Sequence, residues 1–309
     1  MRDHTPADGR SAEVATRFAV EGIGLRKVYP LRRSFFGRVT ESVVAVDGVS
    51  VAVEPGRTLG IVGESASGKS TVARLLAKLV PVDDGEIRWD GVDVTAARGR
   101  ALRPLRGRTQ MIFQDPYGSL DASYSIGYSV AEPLLVHRKA SRAEAKERVA
   151  DLLERVNLDP RLADRRPGEL SGGQRQRVSI ARALALQPTT LIADEPTSAL
   201  DVSTRAEILN LLLELQESMG LAILLISHDF ATIRHLSHRV AVMYRGKVVE
   251  EGPADQVVDD PQDPYTRRLL DSVPVPNVAE QRKRREKFRL DEAAWRKTNP
   301  PGTTGTLRL

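Results

Sequence analysis

The sequence predicts an α/β fold: a mostly parallel sheet with helices, preceded by antiparallel strands and interrupted by a helical insert. Three observations predict it. Short apolar runs such as Leu191-Ile192-Ala193 and Leu221 to Ile226 alternate with amphipathic helical stretches, the pattern of strand–helix–strand units. Residues before Arg57 read as extended, strand-rich segments. Between a buried strand, Arg57 to Val62, and a helix, Thr71 to Leu79, lies Gly63-Glu64-Ser65-Ala66-Ser67-Gly68-Lys69-Ser70-Thr71, a full match to the phosphate-loop pattern G-x-x-x-x-G-K-[S/T].

The chemistry of a phosphate explains these residue types. Gly63 and Gly68 let the backbone turn tightly and aim successive N–H groups at phosphate oxygens, and the helix that follows presents its positive end to the same anion. Lys69 supplies a point charge for β and γ phosphates. Ser70 offers a hydroxyl to Mg²⁺, which prefers oxygen ligands and retains several waters.

Length and composition set the remaining bounds. A chain of 309 residues with 41% hydrophobic and 28% charged residues has the make-up of a globular protein with a large core. The chain has no cysteine, which excludes disulfides, thiolate metal sites and thiol catalysis. The start, Met1-Arg2-Asp3-His4-Thr5-Pro6, lacks the apolar centre of a signal peptide, and no apolar run approaches the roughly eighteen residues of a spanning helix. A cytosolic or peripheral protein is expected. The net charge is +5, with a dense basic run at Arg282-Lys283-Arg284-Arg285. Such a run reads as a solvated tail, and no nucleic-acid partner is expected.

Taken in order, residues 1–17 are polar and read as a flexible N-terminus. Phe18 to Ile23 suits a first strand. Arg32 to Ser42 reads as a basic loop, Val43 to Val53 as strand with a turn at Asp47-Gly48, and Glu86 to Gly91 as a further strand and turn. Thr109 to Gln114 is a short apolar strand ending at a glutamine. Helices follow from about Ile126 to Val156, with a capping box at Ser141-Arg142-Ala143-Glu144 and Val149, Leu152, Leu153 and Val156 on one face. An Arg-studded helix runs through Leu186. The strand at Leu191 ends in Asp194-Glu195, a helix from Leu200 to Met219 turns Ile208, Leu211, Leu212 and Leu215 inward, and the strand from Leu221 ends at Ser227-His228-Asp229. Val240 to Glu251 contains a hairpin turning at Arg245-Gly246. In such sheets ligands sit at the carboxyl ends of the strands, where Gln114, Asp194, His228 and the phosphate loop all fall.

The stretch Leu170-Ser171-Gly172-Gly173-Gln174-Arg175-Gln176-Arg177, taken with the phosphate loop and Asp194-Glu195-Pro196-Thr197, resembles the nucleotide-binding subunits of ATP-binding cassette (ABC) transporters. The resemblance runs from about Phe18 to Pro276. It implies a RecA-like P-loop NTPase domain at 18–254 with an antiparallel β subdomain and an α-helical subdomain at about 117–175, and a C-terminal extension at 255–309. The ligands it implies are ATP and Mg²⁺.

Carried over by position, the resemblance assigns Tyr29 to stacking on adenine and residues 63–71 to the phosphates. Asp194 would hold Mg²⁺ through water, in keeping with the cost of a buried acid without a partner. Glu195 would orient and deprotonate the attacking water. His228 would contact the γ-phosphate and hold Glu195 and the water. Gln114 would reach Mg²⁺ and the water and connect the site to the helical insert. Ser171, Gly172, Gly173 and Gln174 would face the ATP held by a second nucleotide-binding subunit, and Asp201 would contact that subunit, making the active unit a dimer that closes on ATP and opens after hydrolysis.

Two stretches narrow the branch. Phe113-Gln114-Asp115-Pro116-Tyr117-Gly118-Ser119-Leu120 resembles the glutamine loop of dipeptide and oligopeptide importers, and Asp260-Pro261-Gln262-Asp263-Pro264-Tyr265-Thr266-Arg267-Arg268-Leu269-Leu270 their C-terminal motif. Asp263 replaces that motif's usual histidine, and Asp121-Ala122-Ser123 the common Asn-Pro-Arg. The resemblance implies import of peptides or peptide-like solutes, two membrane permease subunits, a second ATPase subunit, an extracytoplasmic solute-binding protein acting through the permeases, and a place on the cytoplasmic face of the membrane. A cassette for nickel or a sugar, an exporter cassette and a non-transport ATPase are the alternative readings.

Overall fold

The computed structural model describes residues 17–33, 39–272 and 306–308. The polar N-terminal stretch, the centre of the basic loop and the Arg282 to Arg285 run lie outside them.

Two sheets form the molecule. The first is antiparallel and contains β1 (Val20–Arg33), β2 (Val39–Val53), β4 (Asp84–Trp89), β5 (Val92–Asp93) and β11 (Thr306–Arg308), in the order β11-β2-β1-β4-β5. The second contains β3 (Thr58–Val62), β6 (Thr109–Ile112), β7 (Thr190–Asp194), β8 (Ala222–Ser227), β9 (Arg239–Tyr244) and β10 (Lys247–Pro253), in the order β10-β9-β3-β8-β7-β6. All its neighbours run parallel except β9 and β10, which form the hairpin at Arg245-Gly246. Both turn residues have positive φ, 47° and 80°, as a two-residue type I′ turn requires.

The expected turn at Asp47-Gly48 is absent: β2 runs through it. Arg26 pairs with Asp47 while Leu25 pairs with Val49, so the positive φ of Gly48, 71°, takes up a bulge rather than a chain reversal. The first strand also continues past Ile23, through Tyr29 and Pro30, because β2 supplies partners along it, with β4 on the other side as far as Arg26.

Helix α1 (Lys69–Leu76) follows the phosphate loop, and the single turns α2 (Arg103–Arg106) and α3 (Pro116–Ser119) flank β6. The insert holds α4 (Ile126–Val136) and α5 (Arg142–Arg155), whose capping box is formed as predicted. Then come α6 (Gly172–Leu184), α7 (Val202–Met219), α8 (Phe230–Leu236), α9 (Ala254–Asp259) and α10 (Pro264–Asp271).

Side-chain alternation along the central strands divides the core in two. From β8, Leu224 and Ile226 join Leu59 and Ile61 of β3, Val72, Leu75 and Leu76 of α1, and Ile87 and Trp89 of the antiparallel sheet. Ile223 and Leu225 face the other way, onto Val178 and Ala181 of α6 and Ile208, Leu211 and Leu212 of α7, a cluster that continues into Val130, Leu134, Val149 and Leu153 of the insert. Both faces of the parallel sheet are covered, so its strands read as unbroken apolar runs. Among the described residues no helix is long and apolar enough to cross a membrane.

Candidate functional site

The strand order puts β6, β7, β8 and β3 side by side, so the residues that leave their carboxyl ends converge. Gln114 follows β6, Asp194 and Glu195 close β7, His228 follows β8 and the phosphate loop follows β3. A cleft of about 440 Å³ opens there, lined by Tyr29 and Val43 to Ala45 of the antiparallel sheet, Ser65, Ala66 and Gly68 to Thr71 of the loop, and Gln114, Glu195, Arg245 and Gly246.

Close contact with other backbone shapes the loop. A Cβ on Gly63 would stand 2.2 Å from the Met243 carbonyl oxygen, and one on Gly68, whose φ is 105°, 2.3 Å from that of Ala45. Gly68 caps α1 with no side chain, and the first-turn N–H groups of Lys69, Ser70 and Thr71 have no intrahelical acceptor. Those donors at a helix N-terminus suit an anion.

Lys69 is 4% exposed, and its ammonium donates to the carbonyls of Gly63 and Glu64, both at 2.8 Å. Burial lowers its pKa, against the pull of Glu195, Asp194 and Glu64. Two of its three donors are thus used within the loop, and a phosphate would supply the counter-charge that burial denies it.

Ser70 Oγ donates to Asp194 Oδ1 at 2.8 Å. Asp194 is 2% exposed, and burial raises its pKa in spite of that hydrogen bond and the positive charges of Arg74 and Lys69. A buried carboxyl beside a hydroxyl is an oxygen donor pair suited to a cation. Among the described residues no group of three or more His, Cys, Asp or Glu is arranged to hold a metal alone. The pair fits Mg²⁺, which fills its shell with water and substrate phosphate.

Glu195 receives two neighbours on one oxygen. Gln114 Nε2 donates to its Oε2 at 3.1 Å, and His228 Nδ1 lies 3.3 Å from the same atom. The Glu195 backbone is left-handed, with φ 48°, and its N–H donates to the carbonyl of Ile226 on β8 at 3.0 Å. Such a conformation costs a non-glycine residue on the order of 1 kcal/mol or more.

Tyr29 sits partly buried at the cleft wall, its ring 5.6 Å from the ammonium of Lys27, which is tied to Asp83 at 2.7 Å. The structure does not bring Ser171, Gly172, Gly173, Gln174 or Asp201 into the cleft. Ser171 and Gln174 form a reciprocal capping box on α6, Gln174 N–H to Ser171 Oγ at 3.2 Å and Ser171 N–H to Gln174 Oε1 at 2.9 Å. Gly173 is set by packing, since a Cβ there would stand 2.3 Å from Cγ2 of Thr204 on α7. Asp201 caps α7, accepting from Thr204 N–H and the hydroxyls of Ser203 and Thr204, which holds its carboxyl down to about 2.

Sequence reasoning missed Val43 to Ala45, Arg245 and Gly246 as cleft walls. The hairpin turn at Arg245-Gly246 was legible, but nothing local indicates that it reaches a loop some 180 residues earlier, where Gly246 N–H donates to the Ser67 carbonyl at 2.9 Å.

A sequence profile described as ABC transporter matches residues 46–198, and one described as the C-terminal region of oligopeptide/dipeptide transporters matches residues 249–300. The glutathione import ATP-binding protein GsiA of Pectobacterium atrosepticum is 50% identical over 290 residues, 94% of this chain and 46% of that protein. GsiA of Salmonella paratyphi A is 53% identical over 262 residues, 85% of this chain and 42% of that protein. The chain thus spans less than half the length of these curated relatives. Among solved structures, the dimeric ATP-binding cassette MJ0796 bound to ADP and Pi has a TM-score of 0.68 at 29% identity, covering 76% of this chain and 98% of that one. CbiO1 of Clostridium perfringens, part of the transporter complex cbiONQ, has a TM-score of 0.67 at 27% identity, over 79% and 92%.

Proposed function

We propose, from the premise that this chain belongs to the ATP-binding family of ABC transporters, that it hydrolyses ATP to drive import of peptides or peptide-like solutes through membrane permeases. The observation that carries the hydrolytic part is the convergence on Glu195: a carboxylate held by Gln114 and His228 at the mouth of a phosphate loop.

In this reading Lys69, Ser70, Thr71 and the loop amides hold the β and γ phosphates, and Tyr29 stacks on adenine. Ser70 and Asp194 would hold Mg²⁺, and Gln114 would reach it. Bound Mg²⁺ supplies neutralisation of charge on the phosphate oxygens. Glu195 takes a proton from the attacking water, and Gln114 and His228 keep its Oε2 in place. General-base assistance of this kind is worth roughly 10²- to 10⁴-fold. Ser171, Gly172, Gly173, Gln174 and Asp201 lie outside this chain's own cleft, which accords with a role toward ATP held by a second ATPase subunit.

The peptide-import reading is supported by the C-terminal region match and by relatives named as glutathione import proteins. Its partners are two permeases and a second ATPase, with a solute-binding protein acting through the permeases, and its place is the cytoplasmic face of the membrane.

Two measurements test the reading. Phosphate release from Mg²⁺-ATP is expected for the purified chain and is expected to fall by roughly 10²- to 10⁴-fold in Glu195→Gln, with ATP binding retained. Wild-type turnover in that variant would remove Glu195 from its role. Tagged Glu195→Gln recovered from detergent-solubilised membranes with ATP and Mg²⁺ is expected to carry polytopic permeases. Recovery of soluble or nucleic-acid-bound proteins alone would overturn transport.

A further inference from the structure

The helix α10 belongs to the segment beyond the catalytic sheet, yet it touches the phosphate loop. The backbone N–H of Glu64 donates to the Tyr265 hydroxyl at 3.1 Å, and Arg268 Nη2 lies 3.0 Å from Glu64 Oε1. The two contacts join residues 201 and 204 positions apart.

The helix is anchored for this contact. Asp263 is its N-cap and accepts from Tyr265 N–H at 2.8 Å. Glu250 of β10 accepts from the N–H groups of Gln262 and Asp263 at 2.7 and 3.1 Å. The Tyr265 ring is 1% exposed and packs on Tyr244 with 4.2 Å between centroids. Asp263, where the related motif has histidine, serves as an N-cap, a task for which aspartate is among the best residues. Packing alone would be met by phenylalanine at 265, so the hydroxyl is the informative group.

Glu64 N–H and the Gly63 carbonyl belong to one peptide unit and point in opposite directions from it. The carbonyl side accepts from Lys69 Nζ and the N–H side donates to Tyr265. We propose that Tyr265, assisted by Arg268, is a positioning residue that fixes the rotation of the Gly63–Glu64 peptide and thereby holds the Lys69 ammonium ready for phosphate. The proposal rests on the ATP-binding reading of the loop. Without the hydroxyl the peptide keeps only its carbonyl-side bond to Lys69, and the ordering of loop and lysine is then charged in part against nucleotide binding.

The test is ATP affinity of the full chain by calorimetry, with and without Mg²⁺, alongside melting temperature without nucleotide and the KM and kcat of phosphate release. Tyr265→Phe keeps the ring on Tyr244. It is expected to raise the ATP Kd and KM by about 3- to 10-fold, the worth of one ordinary hydrogen bond, with kcat at saturation unchanged. Arg268→Ala, which removes the ion pair to the half-exposed Glu64 carboxylate, is expected to raise Kd by about 2-fold. Val257→Ala, on the buried face of α9, lowers stability without touching the loop and is expected to leave Kd as in wild type.

Unchanged Kd in Tyr265→Phe and Arg268→Ala would overturn the proposal. So would a rise in Val257→Ala equal to that in Tyr265→Phe, because the effect would then follow stability alone. Absence of ATP binding in the wild-type chain would instead overturn the reading of the loop, a result distinct from either.

Discussion

Ser70 and Asp194, 124 residues apart, meet in a hydrogen bond of 2.8 Å that ties the first turn of α1 to the end of β7. It is the sole side-chain hydrogen bond recorded for the Asp194 carboxyl among the described residues. Burial raises the carboxyl pKa, so its proton is held more tightly in the folded than in the unfolded chain. Asp194 therefore favours folding only at pH below its unfolded value, and becomes a penalty as the pH rises through its folded value. Asp194→Asn is expected to unfold at higher urea than wild type near pH 7.5 without nucleotide or metal, with the gain shrinking toward pH 4. A variant less stable than wild type at pH 7.5 would contradict this.

Gln114 and His228 act on one atom, Glu195 Oε2, so their removal should not be additive. Gln114→Ala and His228→Ala are each expected to lower phosphate release by about 10-fold or more, as for a lost hydrogen bond to a charged group. The double variant should fall short of the product of the two. A strictly multiplicative double variant would mean that the two side chains act separately.

Gly68→Ala meets the Ala45 carbonyl from a backbone with φ 105°. The strain of such a substitution is of order 1–3 kcal/mol, and the loop amides would shift with it. Loss of ATP binding by calorimetry and a lower urea midpoint are expected together. Retention of both would remove the close approach of β2 as a constraint on the loop.

Gly173→Ala places a methyl against Thr204 Cγ2 at 2.3 Å. It is expected to destabilise the α6–α7 packing by about 1–3 kcal/mol, the usual range for overpacking. Thr204→Ser in the same chain removes that methyl while keeping the hydroxyl bonded to Asp201, and should restore most of the loss. Failure of the rescue in thermal unfolding would place the strain elsewhere.

Much of this architecture was legible because local and global signals agree. The apolar runs of β3, β7 and β8 are strands covered on both faces, and Ser141 to Glu144 is a capping box in sequence and in structure. Gln114, Asp194, His228 and the phosphate loop were placed by the rule that sites lie at the carboxyl ends of strands. Less was legible where one residue serves two possible geometries. Gly48 could turn a chain or make a bulge, and only the partner β1 decides. Tyr265 reads only as part of a C-terminal motif, and its contact with Glu64 depends on chain far removed in sequence.

The left-handed backbone of Glu195 has a consequence for anyone engineering this chain. Glycine adopts φ 48° without the steric cost that a side chain brings. A selection for heat resistance alone would push position 195 toward glycine or asparagine and discard the carboxylate with no warning from the folding readout. Libraries aimed at a more durable variant need this position frozen, or a turnover assay run beside the melting curve.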